Sequence, residues 1–170
     1  MSDLNQNGLR VVQPGPSFRG KQGHLYSAAI SAEAVGSNAL HMQLLRMPPG
    51  EVGKAHKHEG HESAIYILSG EAGTWYGDRL EYHRIAKAGD FVYIASGVPH
   101  LPYNLSDDEE LVAVIARTDP KEQESVILMP ELDWLRREPL PAEPEAEQRV
   151  VESLPSRSQE AYFAQRAVSD

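Results

Sequence analysis

Seven histidines occur among the 170 residues, and three of them, His56, His58 and His61, fall within one short segment. Neutral imidazole is the commonest protein ligand for first-row divalent metals, so the spacing of these residues is informative. Two histidines at i and i+2 diverge on a helix but share one face of a strand. His56 and His58 can therefore grip one ion only if this segment is extended. Glu59-Gly60 then lets the chain turn so that Ile65-Tyr66-Ile67-Leu68 returns as the next strand. A helical zinc-hydrolase motif requires His-Glu-x-x-His, one helical turn apart. His58-Glu59-Gly60-His61 is one residue short and contains glycine, which excludes that reading. A fourth histidine, His100, follows the hydrophobic run Phe91-Val92-Tyr93-Ile94 and a Gly97-Val98-Pro99 turn. Closure of a barrel would bring His100 beside His56 and His58.

The surrounding sequence supplies strands to position these residues. His41–Met47 stops at Pro48-Pro49-Gly50, Ser63–Leu68 stops at Ser69-Gly70, and Gly73–Tyr76 leads to Gly77-Asp78. Phe91–Ile94 follows Gly89-Asp90, and Leu111–Ala116 follows the polar stretch Ser106–Glu110. Short runs with turns about every ten residues predict an all-β sandwich or barrel. No helical period competes there. Three zones result: an N-terminal arm over residues 1–24, a barrel over 25–133, and a linker and tail over 134–170. The tail opens with the Pro- and Glu-rich run Glu138–Glu145 and carries one candidate helix, entered through the capping box Ser156-Arg157-Ser158-Gln159. Tyr162, Phe163 and Val168 would dock that helix on the barrel or on a second subunit; a frayed tail is the alternative.

Composition narrows the function. The chain has no cysteine, so disulfides and thiolate metal sites are excluded, and any metal must use imidazole and carboxylate. A formal net charge of −9 argues against nucleic acid as a partner. No stretch approaches the roughly 18 apolar residues of a membrane span. The polar N-terminal segment lacks the apolar middle of a signal peptide, so a cytoplasmic location is expected.

The histidine segment and the His100 segment together resemble the two motifs of the cupin superfamily, in the manner of a small single-domain cupin. Gly50, His56, His58, Glu62 and Gly70 fit the first motif, with one residue too many between Glu62 and Gly70. Gly89, Gly97, His100 and Asn104 fit the second at the right spacing, with Ala95 in place of the usual proline. The motifs span residues 50–104, and flanking strands extend the resemblance to about 25–133. It implies a double-stranded β-helix, or jelly-roll barrel, and one divalent transition metal (Mn, Fe, Ni or Zn) held by His56, His58, Glu62 and His100. Counting back from Gly70 puts Ser63, not a glutamate, at the usual ligand position. Strand alternation from Ser63 turns His61 inward and Glu62 outward unless a bulge intervenes. The fourth ligand is thus Glu62 by motif or His61 by parity.

Among the remaining residues, core packing is the expectation for Tyr66, Trp75, Tyr93 and Tyr103, with Tyr103 the best placed of the four to line a pocket. A surface or ion-paired role is the expectation for Arg46 and Arg117, with binding of a substrate carboxylate or phosphate as the alternative. Asp90 and Asn104 are expected to shape turns. The resemblance implies a homodimer and a small-molecule substrate. The favoured reading is a metalloenzyme acting on a small polar metabolite, of dioxygenase or isomerase type. A metal-containing binding or sensing module without catalysis is the alternative, and nothing in the sequence identifies a catalytic group beyond the metal.

Overall fold

A computed structural model describes residues 8–121 and 125–135, all within the first of the two units, Met1–Pro139 and Leu140–Asp170, into which the chain divides. The expected helix at Ser156 and the Glu138–Glu145 linker lie outside the described residues. The elements in chain order are β1 (Phe18–Arg19), β2 (Leu25–Ile30), α1 (Ala32–Val35), β3 (His41–Met47), β4 (His56–His58), β5 (Ser63–Ser69), β6 (Glu71–Tyr76), β7 (Tyr82–Lys87), β8 (Phe91–Ile94), β9 (His100–Asn104), β10 (Leu111–Arg117) and β11 (Val126–Leu128). They form two antiparallel sheets, one ordered β1-β2-β3-β10-β5-β8 and the other β11-β4-β9-β6-β7. This is the all-β barrel that the strand spacing predicts, in the jelly-roll form that the resemblance implies. The sequence reading gave this zone no helix. The structure corrects that with the single turn α1, capped by Ser31, whose Oγ accepts from the Ala34 N–H, and ended by Gly36 at φ 71°. A four-residue helix has no room for a 3.6-residue hydrophobic period, so periodicity could not reveal it.

The interior is graded from apolar to polar. Register across the first sheet aligns Met47 with Leu111, then Leu45 with Ala113 and Ile67, then Gln43 with Ile115, Ile65 and Val92. The last inward row is His41, Arg117, Ser63 and Ile94. The lower rows, with Tyr26 and Ala72, make the hydrophobic core, where each fully buried Leu or Ile contributes about 1.5–3 kcal/mol. The upper rows are where a functional site can sit without disturbing that core.

The two sheets differ on their outer faces. On the second sheet, Trp75, Leu101 and Tyr103 point outward and are covered by Ala55, Leu80 and Leu132. The covering segment is pinned by the Met129 N–H to the Ala55 carbonyl (2.8 Å) and the Ala55 N–H to Asp133 Oδ1 (2.6 Å). The Tyr103 ring lies across Gly73, where any Cβ would overlap it. On the first sheet, the outward residues include Phe91, 81% exposed, and Tyr93, 64% exposed. No helix among the described residues is long and apolar enough to cross a membrane.

Candidate metal centre

β4 carries His56 and His58 inward and Lys57 outward, as strand parity requires. β9 lies alongside with His100 directly opposite His56. The turn before His100 is fixed by Gly97, at φ 79°, whose N–H bonds the His58 carbonyl at 2.7 Å. One nitrogen from each of His56, His58 and His100 falls within 4.8 Å of the others, and all three side chains are buried. Ring centroids are 4.2 Å apart for His56–His100, 5.1 Å for His56–His58 and 5.4 Å for His58–His100.

The protonation pattern follows from the partners. His56 Nδ1 lies 2.7 Å from the Lys54 carbonyl, and His100 Nδ1 lies 2.9 Å from the Val98 carbonyl. A carbonyl only accepts, so both Nδ1 atoms carry the proton and both Nε2 atoms keep a lone pair when the rings are neutral. The rings are indeed held neutral. Burial, then the neighbouring His100 and His58, push the His56 pKa well below its ordinary value. Burial and the Arg117 charge push His58 down to about 2. Burial outweighs the Val98 hydrogen bond and lowers His100 to about 4. Three neutral, buried imidazoles with converging lone pairs are costly to assemble for packing alone and suit a divalent cation.

Around the triad stand Ser63, Arg117 and His61. Ser63 opens β5 facing inward, next to Arg117 in register. Arg117 is buried, and its charge lowers the pKa of His58, His61 and His100. The His61 ring centroid is 4.8 Å from that of His58, and its Nδ1 is 3.7 Å from Asp119 Oδ2. Burial, then Arg117, lowers its pKa.

The structure brings together three of the residues singled out in the sequence, His56, His58 and His100, with His61 beside them. Glu62 is placed elsewhere: it is exposed, and its Oε1 accepts the Tyr93 hydroxyl at 2.8 Å on the outer surface. That bond raises the Tyr93 pKa. Tyr103 is also placed away from the triad. It lies three residues from His100 on one strand, hence on the opposite face, where its hydroxyl meets His83 Nε2 at 2.8 Å. Arg46 forms a surface ion pair with Glu110 at 2.7 Å. Asp90 accepts the Lys87 N–H at 2.8 Å in the β7–β8 turn. The Asn104 amide donates to the carbonyls of Met47, Pro48 and Glu109, tying two loops together.

Four interior polar residues were not singled out from the sequence: Gln22, His24, His41 and Gln43. His41 and Gln43 share the inward phase of β3 with Leu45 and Met47, so parity alone could have found them. Gln22 and His24 lie in a hairpin turn, where burial has no local signal.

Comparison with known proteins agrees with this architecture. The Cupin domain family profile matches residues 43–116. The oxalate-binding protein of Thermotoga maritima is 35% identical over 101 residues, covering 58% of this chain and 81% of that protein. A double-stranded β-helix protein from Klebsiella pneumoniae superposes with a TM-score of 0.51 at 21% identity, over 69% of this chain and 89% of that one. Oxalate decarboxylase from Lactobacillus farciminis, in a formate complex, gives 0.56 at 20% identity, over 84% of this chain and 38% of that one. The structural matches show the fold. With the Thermotoga relative and the family profile, they establish that this chain belongs to the cupin superfamily.

Proposed function

We propose that the chain is a metal-dependent cupin that binds a small carboxylate in the barrel and acts on it. His56, His58 and His100 would hold one divalent ion (Mn, Fe, Ni or Zn), with His61 rather than Glu62 as the additional group nearest the set. The observation that carries the reading is the buried cation Arg117 beside three neutral imidazoles. Arg117 and His61 share Asp119 as their acidic neighbour. A divalent ion added to this interior leaves a positive excess that an anionic ligand neutralises, and the guanidinium fork suits a carboxylate. When bound, the ion supplies Lewis-acid stabilisation of negative charge on a substrate oxygen. The protein's own contribution is to hold three ligand nitrogens deprotonated, exclude water and orient the carboxylate through Arg117.

Loaded with Mn(II), the protein is expected to bind oxalate, used as a probe, in a metal-dependent manner by calorimetry. Arg117→Gln should weaken that binding by about 2–3 kcal/mol, roughly 30- to 150-fold, because a buried charge-assisted hydrogen bond is lost. Metal affinity should not fall, since removing a nearby cation favours a bound cation. Equal oxalate affinity in the two proteins would refute the assignment of Arg117.

The type of chemistry separates an enzyme from a binder. Oxidation consumes O₂ with a redox-active ion, whereas isomerisation proceeds without O₂. The name of the Thermotoga relative supports a second reading, a binding module that returns its ligand unchanged. Incubating candidate acids with the metal-loaded protein and following O₂ uptake and product by NMR distinguishes the three.

The barrel's first sheet supports a homodimer. Two of its outward rows run Ser27, Leu44, Val114, Tyr66, Phe91 and Ile30, Met42, Ala116, Ala64, Tyr93 across the five strands from β2 to β8. Neither row contains a charge, in a chain of net charge −9 whose copies otherwise repel. A wide apolar face on such a chain is best covered by the same face of a second copy, related by a two-fold axis. Phe91→Glu should leave the barrel folded, because Phe91 is 81% exposed in one protomer. It should raise the dimer Kd by about 100-fold or more by placing two buried charges near the interface. Sedimentation of the unmodified protein as a monomer at tens of micromolar would rule the dimer out.

A further inference from the structure

The hairpin joining β1 to β2 buries two polar side chains. Gln22 is 0% exposed and His24 is 1% exposed, although both lie in a turn. The turn is closed by the Gly20 N–H to the His24 carbonyl and the Gly23 N–H to the Gly20 carbonyl, each 3.0 Å, with the Arg19 guanidinium on the Gly23 carbonyl. It is docked by the Lys54 N–H on the Gln22 carbonyl at 2.9 Å, two residues before His56. The His24 ring fills the space over Gly53, where a Cβ would collide with its Nε2 side and with the Pro102 carbonyl. His24 is therefore wedged between the segment leading into His56 and the strand that carries His100. A charge on His24 would lower the pKa of both of those histidines.

The hydrogen-bond roles of this wall are fixed by its partners. His24 Nδ1 lies 2.7 Å from Glu51 Oε1. The carboxylate only accepts, so Nδ1 donates and Nε2 is left as an acceptor on a ring that burial keeps neutral. That Nε2 is buried and has no partner, and the same is true of both polar atoms of the Gln22 amide. On β3, Gln43 Oε1 faces His41 Nε2 at 3.1 Å, which leaves the Gln43 NH₂, buried and unpartnered, as a donor. An unsatisfied buried group is costly, so a ligand that satisfies it is selected over one that cannot.

The interior thus asks its ligand for hydrogen-bond donors as well as acceptors. A dicarboxylate such as oxalate has only acceptors at neutral pH. It can serve Gln43 and Arg117, but not His24 Nε2 or Gln22 Oε1. We propose that the barrel selects a carboxylate bearing a hydroxyl on the neighbouring carbon, a 2-hydroxy acid, and that His24 Nε2 accepts the hydrogen bond from that hydroxyl. This rests on the metal-dependent carboxylate reading above and names its ligand class. Glu51 is a positioning residue that fixes the tautomer of His24.

The test uses the full chain loaded with Mn(II) and titrated calorimetrically with glycolate and with oxalate. His24→Asn keeps a donor for Glu51 and removes only the Nε2 acceptor. Glycolate affinity should fall about tenfold in His24→Asn while oxalate affinity holds, so the ratio of the two shifts about tenfold. His24→Gln, whose amide reaches the Nε2 position, should recover part of the shift. A merely structural role for His24 would weaken both acids together. A metal-dependent oxalate affinity with an unmoved ratio overturns this inference alone. Failure to bind Mn(II), or anion binding indifferent to it, overturns the metal reading and this one with it.

Discussion

Replacing His56 or His100 with alanine is expected to strip the protein of metal while leaving the barrel folded. Both residues supply an Nε2 lone pair whose direction is set by a hydrogen bond from Nδ1 to a backbone carbonyl. Outer partners of metal ligands alone are typically worth 10–100-fold, so losing a ligand from a three-histidine set should cost at least about 100-fold in affinity. The fold should survive because the hydrophobic core lies in the lower rows of the barrel, among Leu45, Met47, Ile67, Leu111 and Ala113. The measurement is metal content after purification without chelator or affinity tag, alongside the thermal midpoint with and without added metal. Unmodified protein should show about one equivalent and a metal-dependent midpoint; His56→Ala and His100→Ala should show neither. Full occupancy in both variants would end the ligand assignment. In the same series His61→Ala should weaken retention by about tenfold, since a ligand or an outer partner is lost. Glu62→Ala should leave retention unchanged, because Glu62 is occupied with Tyr93 on the outer surface.

The contrast between Glu62 and His61 shows where strand parity outweighs motif spacing. Gly70, at φ 80°, is wedged against Glu110 and Leu111, which fixes the end of β5. Reading back along the strand makes Ile67, Ile65 and Ser63 inward, and Glu62 follows as outward. The extra residue between Glu62 and Gly70 therefore matters physically, because a one-residue offset on a strand exchanges its two faces. Tyr103 illustrates the same rule. Three residues from His100 is an odd step, which carries the ring to the outer cluster under Leu132.

Other features depended on contacts that no local pattern encodes. β3, β5, β8 and β10 were legible because each is a run of apolar or alternating residues bounded by Gly, Pro or acidic turns. β7, Tyr82–Lys87, was not, because it carries His83, Arg84 and Lys87 and offers no clear hydrophobic face. β11 has only three residues, and its pairing with β4 is what encloses the histidine strand. Arg117 acquires its role only because β10 is inserted between β3 and β5, which puts it in one row with His41 and Ser63. The Gln22–His24 turn was invisible for a related reason. Its burial comes from docking on Lys54, more than thirty positions away in a chain order that propensity does not read.

The metal-free protein should be sharply destabilised by mild acid. The triad is neutral in the folded state, with His58 lowered to about 2 and His100 to about 4, whereas the unfolded chain protonates its histidines near 6.5. Between pH 6.5 and 4 the unfolded state therefore binds protons that the folded state refuses. Stability is full above pH 6.5 and falls as the pH drops, until the folded-state pKa of each ring is reached. His100 alone accounts for about 3 kcal/mol by pH 4, and His56 and His58 add to it in the same direction. A domain stabilised by only about 5–15 kcal/mol should thus approach its unfolding midpoint near pH 5 without metal. Urea unfolding at pH 7.5, 6 and 5 reads this directly, and His100→Asn, which lacks one titrating ring, should show a shallower decline. Bound metal competes with the same protons for the same nitrogens, so acid should release it over the same interval. Stability that stays level from pH 7.5 to 5 in the metal-free protein would mean that the imidazoles are not held neutral.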